Sequence, residues 1–144
     1  VDPEKEYTVT IKQRRKKRSL DANAYMWVLL DKLAVKLKTS SDDLYKFFVR
    51  YYGKRAVIEL EAVATKTFTD DWSKRGTGWF VDDIGPSRTN PGFRSLRIFY
   101  GTSVYDTKEM ARLIDEVVEE CKAQGIETMS KKEIDNLLGG QKNE

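Results

Sequence analysis

The segment from Leu20 to Leu37 carries the pattern that most constrains the fold, because its apolar residues recur at intervals of three and four. The stripe comprises Leu20, Ala24, Trp27, Leu30, Ala34 and Leu37, and Val28 and Leu33 widen it. This spacing places the stripe on one face of an α-helix, which must be buried against other elements. We expect Ser19 or Asp21 to cap the first turn of this helix.

Other segments show helical patterns that begin and end with recognisable residues. Ser40 with Asp43 and Asp106 with Glu109 resemble capping boxes, and Gly53, Gly125 and Gly139 are typical of residues that end helices. The further helices are predicted at about 40–53, 61–74, 106–125 and 130–139.

Strand patterns complete the predicted fold. Tyr7 to Lys12 alternates apolar and polar residues, and Lys54 to Leu60 contains Val57, Ile58 and Leu60, which is compatible with a strand. Gly76 to Tyr100 predicts a long hairpin with an exposed loop from Ser87 to Arg94. We therefore predict an α+β fold in which a small antiparallel sheet has helices packed on one side. A length of 144 residues favours a single domain, 1–144, with flexible ends at 1–6 and 139–144.

The composition excludes several kinds of chemistry. The chain has no histidine and one cysteine, Cys121, which excludes an intrachain disulfide, zinc sites built from Cys and His, and Ser–His or Cys–His catalysis. Apolar runs are far shorter than the ~20 residues that span a bilayer, and the amino terminus lacks the apolar core of a signal peptide. We expect a cytoplasmic protein without a membrane partner, cofactor or metal.

A cluster of basic residues dominates the charge pattern. The net charge is only +3, but Arg14, Arg15, Lys16, Lys17 and Arg18 are consecutive. We call them the basic segment. Adjacent cations repel one another, and a polyanion would relieve that repulsion by a salt-dependent contact. We expect the segment to lie between the first strand and the N-terminus of the first helix, where phosphates are stabilised by the helix dipole.

Aromatic residues near cations offer further contacts to a single strand. Arg88 and Arg94 in the predicted hairpin loop are candidate phosphate contacts, and Tyr52, Trp79 and Phe93 adjoin glycine or turns and are candidate stacking platforms. For Trp27, which lies on the apolar stripe, packing in the core is favoured over base stacking.

Paired carboxylates suggest an alternative chemistry. The pairs Asp70–Asp71 and Asp82–Asp83, with Glu59 and Glu61 nearby in sequence, would serve a magnesium-dependent nuclease if they gathered around a metal pair. Adjacent carboxylates on a helix or strand point in different directions, so solvated acidic faces are favoured.

The residues Arg18-Ser19-Leu20-Asp21-Ala22-Asn23, followed by Trp27, resemble the R-S-L-D-x-N-x-x-x-W segment of the NinB (Orf) family of bacteriophage recombination proteins. The resemblance implies a dimeric phage protein that acts in homologous recombination. Such a protein binds single-stranded DNA and helps host or phage recombination proteins to load or to replace single-strand-binding protein. Carried onto this chain, the resemblance implicates Arg18, Asp21, Asn23 and Trp27.

Three functional hypotheses remain open at this point. The first is a non-enzymatic mediator that binds single-stranded DNA, or duplex with single-stranded tails, through the basic segment, Asn23, Arg88 and Arg94, with Ser19, Asp21 and Trp27 as structural residues. The second is the magnesium-dependent phage nuclease. The third is a phage protein-interaction module that inhibits a host defence complex.

Overall fold

The computed structural model describes the backbone of residues 11–139 and the side chains of residues 21–139. The helices are α1 (Ile11–Leu37), α2 (Ser41–Tyr52), α3 (Thr65–Ser73), α4 (Thr107–Ala123) and α5 (Lys131–Gly139). The strands are β1 (Arg55–Glu61), β2 (Phe80–Pro86) and β3 (Phe93–Phe99), and short 3₁₀ turns occupy Ala62–Ala64 and Thr102–Val104. The chain thus has an α+β fold with a small antiparallel sheet, as predicted.

Helix α1 begins earlier than the sequence pattern suggested. The predicted strand from Tyr7 to Lys12 is wrong at Ile11 and Lys12, which are helical, and its remaining residues lie outside the described part of the chain. Arginine, lysine and glutamine favour helices, and neither glycine nor proline interrupts this stretch. The amphipathic helix therefore extends through the basic segment.

This extension corrects two expectations about the first helix. The basic segment does not precede the helix but forms part of it, so its position beside a helix N-terminus was wrongly predicted. Ser19 and Asp21 occupy interior helical positions and therefore do not cap the first turn. The side chains of the basic segment and of Ser19 lie outside the described residues, as do the predicted flexible ends apart from Gly139, which ends α5.

The predicted starts of the later helices are confirmed by their capping bonds. The Ser40 hydroxyl accepts a hydrogen bond from the Asp43 amide at 3.0 Å. At the start of α4, Asp106 Oδ1 accepts from the Glu109 amide at 2.8 Å, and Glu109 Oε1 accepts from the Asp106 amide at 2.9 Å. These bonds satisfy backbone donors that have no partner within the helix.

Four of the helices, α1, α2, α4 and α5, bury one common core. From α1 the core takes Ala22, Met26, Leu29, Leu30 and Leu33, and from α4 it takes Met110, Leu113, Ile114, Val117, Val118 and Cys121. The predicted apolar stripe therefore coincides only in part with the buried face of α1. Ala24, Val28 and Leu37, which were assigned to the stripe, are exposed, whereas Met26 and Leu29, which were not, are buried. The segment is apolar over more than one face, and packing against α4 selects which face is buried.

The sheet has the strand order β1–β3–β2, and every neighbouring pair is antiparallel. Side chains alternate between its faces. Leu96 and Ile98 are buried on the same face as Tyr100, whose ring packs on Trp72 of α3 at 5.2 Å. Phe99, on the opposite face, joins the helical core and stacks on Phe80 at 4.5 Å. Burial of Phe99 in the helical core thus joins this end of the sheet to the helices.

Within the described residues, no helix combines the length and the hydropathy that crossing a bilayer requires.

The fold predicts a sharp contrast between two positions of α1. Leu33 is fully buried, whereas the side chain of Val35 is 82% exposed. We expect Leu33→Ala to lower the free energy of unfolding by about 2–5 kcal/mol, because it removes buried methyl groups and leaves a cavity. Val35→Ala should change it by less than ~0.5 kcal/mol. Urea denaturation followed by circular dichroism measures both, and similar losses from the two variants would contradict this assignment of the core.

Candidate nucleic-acid interface

The NinB-like residues that the structure describes lie along two turns of α1. Asn23 and Trp27 are four residues apart and therefore share a helical face. Both are half-buried, whereas Asp21 is exposed. The Trp27 ring packs on that of Tyr45 in α2, with centroids 4.7 Å apart, so the preference for packing over stacking at Trp27 fits its position.

Asn23 is held by a relay of hydroxyl groups from two other elements. The Tyr45 hydroxyl donates to Thr102 Oγ1 at 3.3 Å, and Thr102 Oγ1 donates to Asn23 Oδ1 at 2.9 Å. The Thr102 amide in turn donates to the Tyr45 oxygen at 3.1 Å. The relay fixes Oδ1 of Asn23 as an acceptor, and within residues 21–139 the Asn23 amide nitrogen has no hydrogen-bond partner.

Two neighbouring pockets open beside this relay. The first, of about 310 Å³, is lined by Ala22, Asn23, Thr102, Ser103, Tyr105, Asp106, Thr107, Met110, Leu137 and Leu138. The second, of about 230 Å³, is lined by Trp27, Tyr45, Gly76, Thr77, Gly78, Trp79, Gly101, Thr102 and Ser103. Thr102 and Ser103 line both pockets, so Asn23 and Trp27 contribute to two halves of one surface. We call this surface the α1 groove.

Two glycines let the chain approach closely along the second pocket. A Cβ at Gly78 would lie 2.6 Å from the Tyr45 hydroxyl and 2.9 Å from the Cα of Gly101. A Cβ at Gly101 would overlap the Trp79 indole. These glycines therefore serve packing between the turn at 76–79 and the segment after β3.

An aromatic cluster with an exposed cation borders the second pocket. Trp72 packs edge-on against Trp79 at 5.2 Å, and its indole N–H donates to the Phe99 carbonyl at 2.8 Å. The Arg75 guanidinium lies over Trp72 and Trp79, 4.7 and 5.4 Å from their ring centroids. Trp79 is buried, which corrects its prediction as a surface residue, and Arg75 was missed because no sequence pattern marks it.

Tyr105 anchors the segment that carries Thr102. Its hydroxyl donates to the Tyr100 carbonyl at 3.2 Å and accepts from the Lys54 amide at 3.0 Å. Burial is the main cause that raises the pKa of Tyr105 to about 12. The neutral phenol thus ties the end of β3 to the start of β1.

Arg88 in the hairpin loop and Arg94 on β3 belong to a different part of the molecule. The predicted loop from Ser87 to Arg94 is therefore wrong at Phe93 and Arg94, which begin β3. Arg94 Nε donates to Asp83 Oδ2 at 2.8 Å, and this bond lowers the pKa of Asp83. Arg94 lies five residues before Phe99 on β3, which corresponds to about 16 Å along the strand. The structure therefore brings neither Arg94 nor the exposed Arg88 to the α1 groove, and their contact with nucleic acid stays a prediction.

Hydrogen bonds to one carboxylate hold that loop. Glu59 accepts from the Ser87 hydroxyl at 2.8 Å and from the Asn90 amide at 2.5 Å. The Ser87 bond is the largest cause that lowers the pKa of Glu59. The loop is tied to β1.

The acidic pairs are engaged by separate cations. Asp70 binds Lys66 at 2.9 Å and Asp71 lies 3.8 Å from Lys74, both within or beside α3. Asp82 pairs with Arg50, and Asp83 with Arg94. Across residues 21–139, no group of three or more His, Cys, Asp or Glu side chains is placed to hold a metal ion. The nuclease hypothesis therefore gains no support from these residues.

No protein-family model, curated protein or solved structure matches this chain. The likeness to the NinB (Orf) family thus stays a prediction carried by the segment from Arg18 to Trp27. The pockets and contacts of the α1 groove support a functional proposal separately from this likeness.

The relay predicts energetic coupling between two residues far apart in sequence. Asn23→Ala and Thr102→Val each remove one side of the 2.9 Å hydrogen bond. In a double-mutant cycle, we expect a coupling energy of about 0.5–3 kcal/mol in the free energy of unfolding. The exposed Asn136 on α5 supplies the control, since Asn136→Ala should show no coupling to Thr102→Val.

The raised pKa of Tyr105 predicts alkaline instability. The folded-state pKa of about 12 exceeds the value of 10.0 for a free phenol. The stability from the neutral phenol is therefore fully present below pH 10 and is lost as the pH rises towards 12. Urea denaturation at pH 8, 10 and 11 measures this loss. Tyr105→Phe should be less stable by about 1 kcal/mol at pH 8 but should fall less steeply above pH 10. A parallel fall in both proteins would contradict this role of Tyr105.

Proposed function

We propose that this protein is a phage recombination accessory protein that binds single-stranded DNA, with the phosphates held by the basic segment and the strand led into the α1 groove. The observation that carries the proposal is that the basic segment and the groove residues Ala22, Asn23 and Trp27 belong to one uninterrupted helix, Ile11–Leu37. At 1.5 Å per residue, Arg18 and Trp27 are separated by about 14 Å along its axis.

Helical periodicity supports a common surface. Positions 16 and 19 precede Asn23 by seven and four residues and therefore fall on its face of α1. Of the basic segment, Lys16 therefore falls on this face, and the other four positions are distributed around the helix. A strand that runs along this face would meet Lys16 first and the two pockets afterwards. Phosphate contacts would supply most of the affinity, and the groove would receive bases.

The groove also has the composition that binding of single strands uses. Trp27 is half-buried beside the second pocket, and Arg75 extends over two indole rings there. The exposed part of Trp27 would offer a base a stacking surface that does not depend on sequence, and the exposed Arg75 would add a phosphate contact. We therefore expect binding that tolerates most sequences.

The NinB likeness extends the proposal to protein partners. A mediator of this kind would act as a homodimer and would assist host or phage recombination proteins in exchanging single-strand-binding protein. Val28 and Val35, which are seven residues apart on α1 and exposed by 48% and 82%, offer an apolar helix surface for such a dimer.

Replacement of part of the basic segment tests the proposal. In the variant Arg14→Ala, Arg15→Ala, Lys16→Ala and Lys17→Ala, affinity for a labelled single strand at 0.15 M salt should fall by at least about tenfold. The logarithmic salt dependence should weaken by about 0.7 for each phosphate that the variant no longer neutralises. Fluorescence anisotropy measures both quantities, and the melting temperature should change little.

A matched control removes the same charge elsewhere. The exposed lysines Lys36, Lys46, Lys66 and Lys122 lie outside the α1 groove, and their joint replacement by alanine should preserve most of the affinity. Equal losses in the two variants would show that only net charge matters. Undiminished affinity in the basic-segment variant would overturn the proposal.

A further inference from the structure

The first pocket of the α1 groove has a lining that differs from a phosphate site. Its floor is apolar, with Ala22, Met110, Leu137 and Leu138, while Asn23 and Ser103 supply an amide and a hydroxyl group. Among the described side chains, no lysine or arginine lines it, and its one carboxylate, Asp106, is used as the cap of α4. A pocket with these walls suits a neutral group that has both an apolar surface and a polar edge.

The relay decides which polar group Asn23 offers. Thr102 Oγ1 donates to Asn23 Oδ1, so the amide nitrogen, without a partner in residues 21–139, is the group left to donate into the pocket. An occupant must therefore present an acceptor to Asn23. The carbonyl oxygens of thymine and guanine meet this requirement in a flat ring that apolar side chains can enclose.

We propose that this pocket takes a single nucleobase, turned out of the bound strand, with the Asn23 amide nitrogen donating to an acceptor atom on its edge. The inference rests on the proposed function for the origin of the strand, but it adds a base-reading site to an otherwise sequence-tolerant surface.

Mononucleotides test the pocket without the strand. The ¹H–¹⁵N spectrum of the full chain contains the side-chain amide resonances of Asn23, which Asn23→Asp assigns by removing them. Deoxythymidine and deoxyguanosine monophosphates should shift these resonances saturably, and deoxyribose 5-phosphate, which carries no base, should shift them several-fold less at equal concentration. Absence of any shift with all of these nucleotides would overturn the inference.

Oligonucleotides separate this inference from the proposed function. A thymine 12-mer and an abasic 12-mer carry the same phosphates, so the ratio of their affinities reports the contribution of the bases. We expect a ratio of about five or more for the natural chain, because base contacts are commonly worth about fivefold or more. If neither oligonucleotide binds at low salt, the proposed function fails, whereas equal binding of both defeats the base pocket alone.

Variants in each of the two pockets test which pocket binds the base. Asn23→Asp keeps an acceptor for Thr102 but removes the amide donor, and Leu137→Trp fills the first pocket only. Both should reduce the affinity ratio several-fold, and Leu137→Trp should also leave binding of the abasic strand within about twofold. Thr77 is exposed and lines the second pocket but not the first. Thr77→Trp is therefore the matched control and should retain the ratio. If Thr77→Trp lowers the ratio and the first-pocket variants do not, the base lies elsewhere and the inference is wrong.

Discussion

The burial of one face of α1 is the interaction on which the rest of the molecule depends. This helix contacts α2, α4 and α5, and its residues Met26, Leu29, Leu30 and Leu33 are almost completely removed from solvent. A helix with this much apolar surface is stable only when other helices cover it, because packing rather than intrinsic propensity provides most helical stability in proteins. The same packing fixes which face of α1 remains available, and the α1 groove lies along its margin.

Thr102 connects this helical core to the sheet. It follows β3 directly after Tyr100 and Gly101, and its hydroxyl joins Asn23 of α1 to Tyr45 of α2. Tyr105 and Trp72 hold the same stretch through bonds to the backbone at Lys54, Tyr100 and Phe99. The NinB-like residues Asn23 and Trp27 therefore have a structural role that is compatible with the proposed binding of DNA, since a groove can select a base only if its walls are held in place.

The acidic pairs and the basic segment occupy different structural settings. The carboxylates of the acidic pairs are each opposite a different lysine or arginine, which explains why their adjacency in sequence does not produce a metal site among the described residues. Arg94 is similarly engaged by Asp83 at the far end of the hairpin. The basic segment, by contrast, is a helical continuation of the groove-forming part of α1. The proposal of a DNA-binding surface thus depends on one helix rather than on cations scattered over the fold.

The sequence by itself determined the α+β class, the order of the later helices and the capping bonds at Ser40 and Asp106, because these features arise between residues a few positions apart. It also excluded histidine chemistry and a disulfide within the chain. Predictions from local patterns were wrong at the start of α1, where helix propensity outweighed a strand-like alternation. They were also wrong for part of the apolar stripe, because packing against α4 determines which face of α1 is buried. Only the tertiary structure placed Thr102 against Asn23, 79 residues away, and enclosed Trp79 beneath Arg75. Contacts between residues so distant in sequence leave no local periodicity, so packing alone decides them.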